Sequence, residues 1–338
     1  MCDRCAHTTP SYNSCRNRHC PKCQGLAQAK WIAEREERIL PVRHFHVVFT
    51  LPAELHALVR FRREALFGIL FACASQTLLE LGRDERHLGA EIGLTAVLHT
   101  WTRELLFHPH VHCIVTGGGL ANDGRRWVDS RKKFLFHVKA MGSLFRGKFL
   151  HCLRKAYARG VFAGFRGFDD PQGFDRLMIA IATKDWGVYA KRAFGGAEQV
   201  YRYLGRYTHR VGIANSRLLA LRHDAVTFRT KNGKTVTVTP TEFLRRFLLH
   251  VLPKGFIKMR HFGLLAPRNV NTKLVQARAL LESRRPTPAT RTEPSGRDIL
   301  DALTGDDARH CPLCRVGVLQ RRPLPPNWTP AVLILDSS

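Results

Sequence analysis

From His44 to Leu51 the chain reads His-Phe-His-Val-Val-Phe-Thr-Leu, rich in aromatic and β-branched residues, and stops at Pro52, which predicts a strand. Leucines and phenylalanines then recur at helical spacing from about Ala53 to Leu81. Two further strands are predicted over Thr95 to Trp101 and Phe107 to Thr116, the second closed by Gly117-Gly118-Gly119. Helical patterning resumes from about Gly142 to Ala163, Met178 to Thr183 predicts a strand, and a helix is expected from about Ala197 to Arg210. Residues Ala225 to Thr239 alternate around Lys231-Asn232-Gly233-Lys234, a hairpin signal with Asn-Gly at its turn. Glu242 to Val251 is helical, and a short charged helix from Ala27 to Leu40 is stopped by Pro41. Glu282 to Arg297, rich in Pro, Arg, Thr and Ser, reads as a linker or disordered segment. Helices and strands mix without strict alternation, which favours an α+β fold with helices on one face of a sheet.

Charge changes this picture from a generic domain to one with a polyanionic partner. The 338 residues carry 54 Lys+Arg against 27 Asp+Glu, a net charge of +27. Nucleic acid is the commonest polyanion that such an excess serves. An apolar content of 44% excludes wholesale disorder. The longest uncharged apolar stretch, Ala65 to Leu79, falls short of the ~20 residues of a membrane helix, and Met1 runs straight into cysteines and basic residues rather than a signal peptide. The expectation is a cytoplasmic protein with no membrane partner.

Ten cysteines are present, five of them in the first 23 residues. Cys2-x-x-Cys5 followed by Cys20-Pro21-Lys22-Cys23 has the spacing of a zinc ribbon, in which each C-x-x-C turn offers two thiolates to a structural Zn2+. Cys15 and His19 sit within reach and could replace one ligand. Arg16, Arg18 and Lys22, interleaved among these residues, suit phosphate contacts. Because Met1 abuts the first ligand, the reading frame reads as one that begins late. A distal group, His310-Cys311-Pro312-Leu313-Cys314, supplies at most three ligands, half of a second zinc site with no partner pair after it.

The chemistry concentrates in two segments. In His108-Pro109-His110-Val111-His112-Cys113-Ile114-Val115, strand alternation points His110 and His112 one way and Val111, Cys113 and Val115 into the opposite, apolar layer. Two imidazoles one pleat apart can hold one divalent cation. His108 would share their face, although Pro109 bends or ends the strand there. In Glu198 to Arg210, helical spacing puts Gln199, Tyr203 and Tyr207 on one stripe, with Arg202, Arg206 and Arg210 beside it. A phenol is a weak nucleophile at neutral pH unless a base or a metal assists it. A cation on His110 and His112 can polarise a phosphodiester, and the arginines can hold its strand.

The His-Pro-His-Val-His segment resembles the HUH nuclease motif. Tyr189-Ala190-Lys191 and Phe194 to Arg217, with Tyr-Leu-Gly-Arg-Tyr-Thr-His-Arg, are similar to the two-tyrosine transposases of rolling-circle insertion sequences, the IS91 group. Tyr12 to Cys23 resembles that family's zinc-binding domain, and the similarity runs to about Asn269. The resemblance implies a ferredoxin-like antiparallel sheet, with histidines on a central strand and tyrosines on a helix above it. It also implies nicking of single-stranded DNA through a 5′-phosphotyrosine, with Tyr203 and Tyr207 as nucleophiles and Mg2+ or Mn2+ as catalytic metal. Gln199 is the candidate third ligand of that metal, with Glu198 and His46 behind it, and Lys191 joins the DNA-binding cations. The chain divides accordingly into a zinc module (1–40), a catalytic domain (41–265) and a basic tail (266–338). A replication initiator or relaxase would use the same chemistry, and a non-catalytic zinc-containing DNA-binding protein would keep only the charge.

Overall fold

The computed structural model describes residues 1–8, 38–131, 134–192, 212–230, 233–283, 310–320 and 322. Its centre is a sheet whose two faces follow from alternation. In β1 (His44–Thr50), β2 (Ala90–Trp101) and β3 (Phe107–Ala121), pairing brings Phe45, Val47 and Phe49 level with Val111, Cys113 and Val115, and these with Leu94, Ala96 and Leu98. All nine are buried in one apolar cluster. Three short strands complete the antiparallel sheet: β4 (Trp127–Asp129), β5 (Val188–Arg192) and β9 (Met259–Gly263). The order is β5-β1-β3-β2-β9, with β4 on the far end of β3, so the histidine-bearing β3 is central.

Helices cover the apolar face. After the single-turn α1 (His56–Phe61), α2 (Arg63–Arg83) supplies Leu66, Phe67, Leu70 and Phe71, and α3 (Val138–Ala158) supplies Phe145, Phe149 and Leu153. Burying a side chain of this kind stabilises by roughly 1.5–3 kcal/mol. By length and composition α2 could cross a membrane, but the residues that make it apolar are those packed on the sheet.

A second, three-stranded sheet joins β6 (Leu218–Leu221), β7 (Val226–Arg229) and β8 (Thr235–Val238). The β7–β8 pairing is the hairpin expected around Gly233, whose φ of +75° a side chain would resist. Thr239 then caps α5 (Pro240–Leu248): its hydroxyl accepts the Glu242 N–H, with Pro240 at the first helical position.

Three elements depart from the sequence reading. Met178 to Thr183, expected as a strand, belongs to α4 (Gly173–Ala182), where Phe174, Met178 and Ile181 fall at i, i+4 and i+7 and bury one face. The triple glycine does not close β3 but lies inside it. A Cβ at Gly118 would stand 2.5 Å from the Val128 carbonyl oxygen, so only glycine lets β4 come so close. Finally, α6 (Lys273–Glu282), assigned by sequence to the tail, packs Leu274, Ala277 and Leu281 against Leu120, Trp127 and Leu264 at the end of the main sheet. The segments expected over 27–40, 197–210 and 282–297 lie largely or wholly outside the described residues.

Candidate metal centres

The face of β3 turned away from the helices carries the histidines. His110 pairs with His99 of β2 on one side and Thr50 of β1 on the other, while His112 pairs with Val97 and Val48. His46 pairs with Ile114, which puts it diagonal to His112. His99, His110 and His112 each present a ring nitrogen within 4.8 Å of the others, and no carboxylate joins them among the described residues.

Pro109 falls within β3 rather than at its end. The β2–β3 register shifts between His99 and Trp101, where His108 and Pro109 face Thr100 alone. A proline, having no N–H to donate, is tolerated at such a bulge, and its carbonyl still accepts the Leu51 N–H at 3.2 Å. The bulge sits beside His110 without turning it from the face it shares with His112.

Hydrogen bonds orient the rings. His110 Nδ1 lies 2.6 Å from the His108 carbonyl oxygen. A carbonyl only accepts, so Nδ1 carries the proton and Nε2 keeps its lone pair. His112 Nδ1 is 2.7 Å from His46 Nε2, and the two rings stack at 4.9 Å. The Nε2 of His112 is buried and has no hydrogen-bond partner. A buried imidazole nitrogen in that condition costs free energy; in the tautomer in which His112 Nδ1 donates to His46 Nε2, that nitrogen keeps a lone pair, and a metal is the taker that the neighbouring nitrogens suggest. Burial pushes His110 down to about 4, and His99 and His112 well below the ordinary 6.5. All three are therefore neutral at pH 7, as metal ligands must be.

His99 is the residue that sequence reasoning missed. It stands alone in Thr95 to Trp101, with no His-x-His spacing, and only the β2–β3 register reveals it. Its ring stacks on Trp101 at 4.9 Å. On the opposite flank β5 adds Lys191, paired with His46, and Tyr189, paired with Val48. Both lie on the histidine face, and Tyr189 is 54% exposed. Tyr203, Tyr207, Gln199, Glu198, Arg202, Arg206 and Arg210 lie outside the described residues, as do Arg16, Arg18, Lys22, Cys20 and Cys23.

A second cluster is made of thiols. Cys2 and Cys5 stand with Cys311 and Cys314, not with a described neighbour in sequence. Cys2 Sγ is 3.7 Å from Cys314 Sγ, and Cys5 Sγ is 3.6 Å from Cys311 Sγ. The backbone N–H groups of Gly317 and Val316 hold the Cys314 thiol down at about 6. Thus the distal pair, for which sequence offered no partner, has one.

Comparison with known proteins shows the family. A family model described as "Putative transposase" matches residues 93–273, more than half of the chain, with all of β3 and most of β2. The chain belongs to this transposase family. A model for the "Transposase zinc-binding domain" matches residues 1–51. The transposase is 44% identical over 326 residues to "Putative transposase y4qJ" of Sinorhizobium fredii, covering 94% of this chain and 82% of that one. It is 29% identical over 325 residues to "Transposase for insertion sequence element IS801" of Pseudomonas savastanoi pv. phaseolicola, covering 92% and 75%. No solved structure matches it. The transposase thus fits the resemblance drawn from its motifs, and the thiol cluster fits the structural zinc expected of its N-terminal domain.

Proposed function

We propose that this transposase nicks and rejoins single-stranded DNA at insertion-sequence ends through a 5′-phosphotyrosine intermediate. The observation that carries the reading is the set of three neutral imidazoles on β3 and β2, with the bare Nε2 of His112 among them. A divalent cation held there by His110, His112 and His99 would draw charge from the non-bridging oxygens of the scissile phosphate. An all-nitrogen set suits Mn2+ better than Mg2+, which prefers oxygen. His99 would join the set as a further ligand, beside Gln199, which the sequence offers as the third.

In the step itself, the phenolic oxygen of Tyr203 or Tyr207 bonds to phosphorus and the P–O3′ bond breaks. The phenol gives its proton to solvent and the departing oxygen takes one up, leaving a free 3′-OH and the 5′ end on the tyrosine. The second tyrosine repeats the attack on the partner strand. Arg202, Arg206, Arg210 and Lys191 hold phosphates of the bound strand, and Arg16, Arg18 and Lys22 hold them at the zinc module. Tyr189, exposed beside Lys191 on the histidine face, offers a ring for a base to stack on.

The test is a covalent adduct between the chain and a single-stranded oligonucleotide from an element end, formed with Mn2+. Tyr203→Phe with Tyr207→Phe abolishes it. Adduct at the wild-type level in that double variant would sink the reading, and salt-sensitive binding without nicking in the unaltered chain would favour a DNA-binding protein that does no chemistry.

A further inference from the structure

We infer that one zinc ion ties residues 2–5 to residues 311–314, so that the zinc module is built from two segments some three hundred residues apart. The family's zinc-binding match ends at residue 51 and does not contain Cys311 or Cys314. The thiol geometry calls for both. Thiolates about 2.3 Å from a tetrahedral zinc stand roughly 3.8 Å from one another; the cross-segment pairs here stand at 3.6 and 3.7 Å. A disulfide would need about 2.05 Å.

The two turns are also built alike. In the first, the N–H groups of Arg4 and Cys5 point at Cys2 Sγ from 3.4 and 3.5 Å. In the second, the N–H of Gly317 points at Cys314 Sγ from 3.3 Å. The residue after the last cysteine of each pair is left-handed, Ala6 with φ +56° and Arg315 with φ +57°. A non-glycine residue is strained there, and Leu105 is the one other example among the described residues. The same strained position in two distant segments is what a pair of metal knuckles requires.

The segments are shaped for each other as well. A Cβ on Gly317 would come within 2.4 Å of Cys2 Sγ, so the second turn is cut away where the first thiol arrives. Cys2 bridges to Leu319, the Asp3 carboxylate accepts the Val318 N–H at 2.7 Å, and the Gln320 N–H reaches the Met1 carbonyl at 2.8 Å. A handful of such bonds, with Cys2 and Cys311 as the buried apolar contribution, is too little to offset the backbone entropy lost in ordering the segments. The zinc supplies the difference.

The full chain tests this, with a protease site placed between residues 290 and 297 and a tag at the C-terminus. After cleavage in zinc, the tagged fragment should retain the large N-terminal fragment and release it on adding a strong chelator. Cys2→Ser with Cys5→Ser, and Cys311→Ser with Cys314→Ser, should each lose one equivalent of zinc and separate without chelator. The fourfold variant should lose no more than either pair, and thermal melting of the main sheet should be unchanged in all three. Separation of the cleaved wild type in zinc, retention in either pair variant, or a second equivalent lost in the fourfold variant would each overturn the shared site.

Discussion

The imidazole centre and the thiol centre present opposite ways of holding a cation. His99 and His110 face each other across β2 and β3, and His112 follows one pleat on. Their places are set by backbone ladders and by the nine apolar residues behind them, so the site stands before any metal arrives. The thiols have no such scaffold. Each pair makes its own turn, and what joins the turns is a few backbone bonds and the metal. Where the sheet does the positioning, metal loss should remove chemistry and leave structure. Where the metal does it, loss should remove structure first.

The contrast breaks most visibly with His112→Ala. It deletes the ligand whose Nε2 is bare and the partner of His46, and nicking should fall on the order of 10³-fold, with the α2–α3 face still folded by near-ultraviolet circular dichroism. A fall in nicking matched by collapse of that signal would mean that the histidines hold the sheet rather than serve it. His46→Ala should cost less, about 10–100-fold in metal affinity. Its loss frees His112 Nδ1 but leaves all three ligand nitrogens, so raised Mn2+ should restore most of the rate, whereas His112→Ala should not recover.

A third effect, of acid, acts on the fold rather than on the metal. His250 is buried, with Thr100 Oγ1 at 3.2 Å and the Leu105 carbonyl at 3.0 Å. Burial, with the charge of Arg63 adding to it, lowers its pKa from 6.5 to about 4. The fold keeps the neutral ring, so its contribution is whole above pH 6.5 and drains away as the pH falls from there towards 4. That loss is on the order of 3 kcal/mol, read as a drop in melting temperature. His250→Gln should lessen this slope, the remainder belonging to His44, His99, His110 and His112, which burial lowers in the same direction; an unchanged slope would show that the ring is not among the groups titrating.

How much could be read from the sequence depended on whether the signal was local. Alternation in β3 separated His110 and His112 from Val111, Cys113 and Val115 because a strand's period is two and needs no partner. The same logic cannot see His99: its role depends on which residue of β2 stands opposite His110, a matter of register over a loop and a bulge. Met178 to Thr183 is too short an apolar run to show its period, and only with Phe174 does the stripe become helical. The triple glycine looked like a stop because glycine usually is one. Its reason, the approach of β4, lies outside the segment. Cys2 and Cys5 were legible as ligands, but spacing favours the nearest candidate pair, and nothing local points three hundred residues onward to Cys311 and Cys314.

That separation sets a clock. Cys314 leaves the ribosome 312 positions after Cys2. At about 5–20 residues per second, the first two thiols wait roughly 15–60 s for the other two. Throughout that interval the sheet can form and the histidines can take their places, while the zinc site is half a site. A message cut short after Glu282 and before Cys311 yields a protein with every element of its core and no closed clasp, so capture of zinc records that translation passed that point.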